Sequence, residues 1–140
     1  MDRPFVTLML RDSLGRLVEL PQDTHPGLCD AATSTVSFAQ SRELHTSLRA
    51  VPPGSVLYFE LRHWKHAQKR FSTAAWTYVP MDALVDFGAV ACRVREGSMR
   101  LPLYKKPVDV SLVRTKRMGG GTNELVLSLA GVGQEAEQGP

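Results

Sequence analysis

The segment Ser55–Lys65, SVLYFELRHWK, limits the fold more than any other stretch of the chain. Leu57, Phe59 and Leu61 fall on one side of it, and Tyr58, Glu60 and Arg62 on the other, with Val56 and Trp64 at its ends. A period of two is the pattern of a strand with two different faces, since successive side chains alternate across a pleated backbone. A strand leaves half of its backbone groups unpaired on each side, so it requires neighbours. Thr73–Val79, TAAWTYV, closed by Pro80, is the next strand. Between the two lies His66–Ser72, read as a basic loop tipped by Phe71.

The rest of the chain repeats this theme in shorter pieces. Phe5–Arg11 is an apolar run ended by Asp12-Ser13-Leu14-Gly15, a turn sequence, and Leu17–Leu20 follows as the return arm of a hairpin that stops at Pro21. Thr33–Gln40 alternates, with Val36 and Phe38 on one face. Ala89–Arg95, Met99–Tyr104 and Leu125–Leu129 read as further strands, and Pro102 places the second of these at an edge or a bulge. Ser41–Arg49 is the helical candidate, with Ser41 as cap and Leu44 and Leu48 on one face. About eight short strands and one short helix predict an antiparallel all-β sandwich or barrel.

The length of 140 residues suits one domain, expected over 1–130 with a polar tail at 131–140. Three glycines make 117–123 a flexible connection. Cys29 and Cys92 are far apart and outside any CxxC pattern, which predicts free thiols in a reducing compartment. The first residues lack the long apolar run of a signal peptide or membrane span, so an intracellular, soluble protein without a transmembrane segment is expected.

Catalytic patterns do not emerge. The chain has no GxSxG elbow, no Walker loop and no HExxH, and Gly119-Gly120-Gly121 precedes a strand where a phosphate loop would require a helix. His63 and His66 stand among cations, which opposes metal binding, and the scattered aspartates read as turn residues and not as a calcium cluster. The expectation is a non-enzymatic protein with no cofactor and no metal.

Charge is the more informative signal. The net charge is +3, too mild to imply nucleic acid, yet it is unevenly spread. From 61 to 81 there is no acid, but there are Arg62, Lys65, Lys69 and Arg70. From Gly97 to Met118 six basic residues, Lys105 and Lys106 among them, accompany one acid, Asp109.

Within these blocks lie Tyr58-Phe59-Glu60-Leu61-Arg62-His63-Trp64-Lys65, Lys69-Arg70-Phe71-Ser72, Met81-Asp82 and Leu103-Tyr104-Lys105-Lys106-Pro107. In this order they resemble the C-terminal C2-type domain of the axin-interactor, dorsalisation-associated protein family. The Arg11-Asp12…Gly15 turn and Gln22-Asp23-Thr24 are similar too, so the resemblance covers roughly 4–130. Extra residues around Val85–Glu96 and the glycines at Gly119–Gly121 depart from the family pattern. The resemblance implies an eight-stranded, calcium-independent C2-like β-sandwich that binds phosphoinositides through basic loops or binds protein partners.

Two readings of the basic blocks follow. In the first, the chain is a non-catalytic adaptor, a docking subunit of a larger intracellular assembly, cytoskeletal or ciliary by analogy with other uses of such folds. Trp64, Phe71, Trp76 and Tyr78, with nearby arginines, are the residue types that anchor interfaces. In the alternative, the basic loops bind acidic, phosphoinositide-bearing membrane surfaces. Both use Arg62, Lys65, Lys69, Arg70, Phe71, Lys105 and Lys106 as the contact set.

Overall fold

A computed structural model of the chain describes residues 1–38, 40–112, 115–119 and 123–131. In chain order the strands are β1 (Asp2–Arg11), β2 (Gln22–Asp23), β3 (Leu28–Asp30), β4 (Thr35–Ser37), β5 (Val56–Lys65), β6 (Arg70–Pro80), β7 (Val85–Phe87), β8 (Cys92–Val94), β9 (Gly97–Pro102) and β10 (Glu124–Leu129). A four-residue helix α1 (Met81–Leu84) joins β6 to β7. The fold is all-β, and every strand pair is antiparallel. The central sheet has the order β2-β1-β5-β6, and β3-β4, β7-β8 and β9-β10 are two-stranded.

Register explains the core. Leu10 lies opposite Leu57, Leu8 opposite Phe59, and Val6 opposite Leu61, while Val79 faces Leu57 from the other side. Residues directly opposite share a face, so these side chains form one apolar surface. Onto it pack Met81, Leu84, Val85 and Leu101, with Leu125, Leu127 and Leu129 of β10 at the margin. Burying each large apolar side chain contributes about 1.5–3 kcal/mol, so this layer carries most of the fold's stability. The alternation expected in Ser55–Lys65 is therefore real, but its second face is also covered in part. Met9, Tyr58 and Trp76 are buried there against Tyr104, Val108 and Leu112.

The helix expected over Ser41–Arg49 does not form. A 3-10 turn at Leu48–Ala50 is the one helical piece of that segment. The cause is tertiary competition for its backbone. The Glu19 carboxylate accepts the N–H groups of His45 and Thr46 at 3.1 and 2.9 Å and the Thr46 hydroxyl at 2.8 Å. Burial acts to raise the Glu19 pKa, but these donors outweigh it and leave the group below its usual range. Leu44 and Leu48 still reach the core, so their spacing places both on the apolar side without a helical backbone.

The other differences are ones of length, together with three short strands, β2, β3 and β7, that were not expected. The return arm at Leu17–Leu20 reduces to a single bridge between Arg11 and Leu17. Thr33–Gln40 contributes the three residues of β4, paired with β3. Ala89–Arg95 contributes β8, whose partner β7 had no signal in the sequence. Of the expected flexible connection and tail, residues 120–122 and 132–140 lie outside the described residues.

Candidate functional site

The second face of the central sheet carries a row of aromatic side chains, and its two ends differ. At one end the segment after β9 lies over them. Trp76 and Tyr104 exchange backbone hydrogen bonds of 3.1 and 2.7 Å. The Trp76 indole N–H donates to the Lys105 carbonyl at 2.9 Å, and the Tyr58 hydroxyl donates to the Val110 carbonyl at 3.1 Å. The Trp76 and Tyr104 rings lie 5.3 Å apart, and those of Tyr78 and Tyr104 lie 5.7 Å apart. Burial under this strap pushes the Tyr58 phenol above its ordinary range.

Toward the β5–β6 turn the strap ends and the rings are open. Phe71 packs edge-on against Phe5 at 5.1 Å and Trp64 at 5.0 Å, and remains 39% exposed. The Arg62 guanidinium lies 5.9 Å from the Phe5 ring centre, and that of Arg3 lies 5.6 Å from Trp64. Two irregularities build this arrangement. β1 is bulged between Asp2 and Phe5, with Arg3 at φ 44°, a left-handed conformation that non-glycine residues seldom adopt. The pairing of β6 shifts beside Leu61 and Arg62, so that Phe71 opposes Trp64. The Arg62 Nε is buried with no hydrogen-bond partner among the described residues. The patch thus offers rings and cationic edges, an arrangement suited to binding, and beside Trp64 the His66 imidazole lies 2.6 Å from the Asp2 carboxylate.

The expected contact residues divide. Phe71 does not tip a loop; it is the second residue of β6, because its ring pairs across the strands with Trp64 and extends the ladder. The loop is 66–69, closed by the Lys69 N–H on the His66 carbonyl at 3.2 Å. Lys65 pairs with Arg70 across the strands. Alternation along β5 sets Lys65 and His63 on the face opposite Arg62 and Trp64. Lys105 and Lys106 follow Tyr104, which bridges Trp76 at the outer side of β6, and the Lys105 N–H donates to the Lys116 carbonyl at 2.7 Å. Burial first, then the charges of Lys65, the N-terminal amino group and Lys106, hold His63 below the ordinary imidazole range. Lys65 and Lys106 therefore act in one electrostatic field, while Arg62 and Phe71 belong to the aromatic face. Arg3 and Phe5 complete that face and were not singled out in the sequence. Phe5 had a signal, since it falls on the same side of the strand as Thr7 and Met9, whereas nothing local marks Arg3.

Among the described residues no helix is long and apolar enough to cross a membrane. Residues 1–129 match a family model described as axin interactor dorsalisation-associated protein, C-terminal. Curated relatives carry the same name. The axin interactor, dorsalization-associated protein of Danio rerio, that of Homo sapiens and form B of Xenopus laevis are each 26% identical over 106 residues, 76% of this chain. The match covers 31% of each of these relatives, so the chain spans about a third of their length. With the match running through both ends of the aromatic face, the chain belongs to the axin interactor dorsalisation-associated protein C-terminal family.

Proposed function

We propose that this chain is a non-catalytic protein-docking module, an adaptor or subunit within a larger assembly. The observation that carries the reading is the open cluster of Phe5, Trp64 and Phe71 flanked by Arg3 and Arg62. Aromatic and arginine side chains in a partly dry setting are the usual anchors of protein interfaces. The relatives' name describes an interactor of axin, which makes axin the first partner to test. Purified axin is expected to bind the chain, and the double variant Trp64→Ala, Phe71→Ala to weaken it by at least about tenfold with the circular dichroism spectrum intact. Unchanged binding in that variant overturns the reading.

A second reading has its own support. The turn end presents Lys65, Lys69 and Arg70, and Lys106 shares a field with Lys65 at His63. Each basic side chain near an anionic leaflet contributes about 1 kcal/mol, so Lys65, Lys69, Arg70, Lys105 and Lys106 together suffice for reversible recruitment. Vesicles with and without phosphoinositide test this by co-sedimentation, and Lys69→Glu, Arg70→Glu should abolish it. A cytoskeletal, ciliary or peripheral membrane setting follows from whichever partner is found.

A further inference from the structure

The outer side of β6 changes character along its length. β6 is the last strand of its sheet. At Trp76 its outward backbone groups are taken by Tyr104. The direction of the remaining groups follows from the pairing. On β1, the Leu10 and Val6 carbonyls accept Val18 N–H at 2.8 Å and Thr24 N–H at 2.9 Å, so its even-numbered residues bond away from β5. The odd-numbered ones, Thr7 among them, bond toward β5, and Thr7 lies opposite Glu60. Glu60, Arg62 and Trp64 therefore turn their backbone toward β1. Their partners on β6 are Trp76, Thr73 and Phe71, which must turn outward. Phe71 and Thr73 have no backbone partner on that side among the described residues.

We propose that this stretch of β6 accepts an extended acidic segment of a partner protein as an added strand. The proposal rests on the protein-docking reading above. Backbone groups aimed outward from a sheet edge are a template for strand addition. Charge selects the occupant, because residues 61–81 hold no acid, Lys69 and Arg70 lie at the turn end of this edge, and the Glu60 carboxylate beside it already accepts the Thr73 hydroxyl at 2.9 Å. A second copy of this cationic edge is repelled, while an acidic strand is drawn in. The geometry also accounts for the division of the basic residues. Side chains of an added strand alternate across the sheet. One set meets Arg62 and Phe71, and the next meets Arg70 and Lys65, which no ligand lying flat on one face could reach together.

The test uses a synthetic peptide alternating glutamate with valine, and the same peptide N-methylated at every second amide. The first should bind, shift the Phe71 and Thr73 amide resonances and protect both from hydrogen exchange. The N-methylated form should bind about tenfold more weakly, as expected for the loss of a pair of hydrogen bonds. Thr73→Pro removes one outward N–H, a change edge strands tolerate, and should weaken the unmodified peptide similarly. Equal binding of the two peptides, protection elsewhere, or no binding overturns the added strand. With purified axin as ligand, loss of binding in Trp64→Ala but not in Thr73→Pro leaves docking standing and removes the strand. Binding unchanged in both variants removes docking as well.

Discussion

Trp76 and Trp64 stand on one face of one hairpin, each on a long strand and each in contact with other rings. Trp76 is fully buried, with its indole N–H bonded to the Lys105 carbonyl. Trp64 is half-buried, and its neighbours are Phe71, His66 and the Arg3 guanidinium. The sheet itself does not distinguish them. The difference is the strap from Tyr104 to Leu112, which covers one end of the face and stops before the other. A ring under the strap is core, and a ring beyond it is surface that a partner can cover.

The sharpest way to break this comparison is to remove both indoles. Trp76→Ala should cost about 3–5 kcal/mol, because it opens a cavity and leaves the Lys105 carbonyl without its donor. Trp64→Ala should cost about 1 kcal/mol, since water already reaches its ring. Urea unfolding of the two variants measures both, and equal losses would mean that the strap does not define the core. The strap's own hold comes next. Tyr58→Phe deletes the hydroxyl that donates to Val110 and should cost about 0.5–1.5 kcal/mol. Amide exchange should accelerate across 104–112 and stay unchanged at Phe71. Acceleration at both ends would show that they open as one unit.

Much of the central sheet was legible because its cause is local. Leu57, Phe59 and Leu61 alternate with Tyr58, Glu60 and Arg62, and the pleat converts that order directly into two faces. Ser41–Arg49 was misread because its outcome depends on Glu19, distant in sequence, which takes the amide groups a helix would use. The site was legible by type more than by place. Basic and aromatic residues at Arg62–Phe71 were identified, but the sequence could not say that Phe71 lies within β6 or that Lys65 and Arg62 fall on opposite faces. That division depends on where the β5–β6 turn begins, and the Trp64–Phe71 ring pair decides it. Arg3 was invisible, because its position over Trp64 follows from a bulge in β1.

A smaller effect sharpens the open end. Arg3→Ala removes the cation above Trp64, and exposed cation–π contacts contribute about 0.5–1 kcal/mol. Trp64 fluorescence should change while the signal of buried Trp76 stays constant, which Trp64→Phe and Trp76→Phe backgrounds can assign. A change confined to Trp76 would place Arg3 elsewhere.

The smallest effect asks whether the two ends communicate, since Lys106 lies in the strap but acts on His63 beyond it. His63 titrates below its ordinary value of 6.5, burial being the first cause and the cations Lys65, the amino terminus and Lys106 the next. The unfolded chain then binds a proton more readily than the folded one in the window between the lowered value and about 6.5. Stability contributed by neutral His63 is therefore lost as pH falls through that window, and it levels off below the folded value. Lys106→Gln removes one of the depressing charges, so the His63 ring resonances should titrate at higher pH in that variant, and an acidic ligand at the β6 edge should shift them the same way. Tyr58→Phe tests the strap without touching charge: if loosening it carries Lys106 away, His63 rises as in Lys106→Gln. An unmoved His63 in Lys106→Gln would mean that the strap ends electrostatically where its rings end, leaving Lys65 as the side-chain charge that holds His63 down.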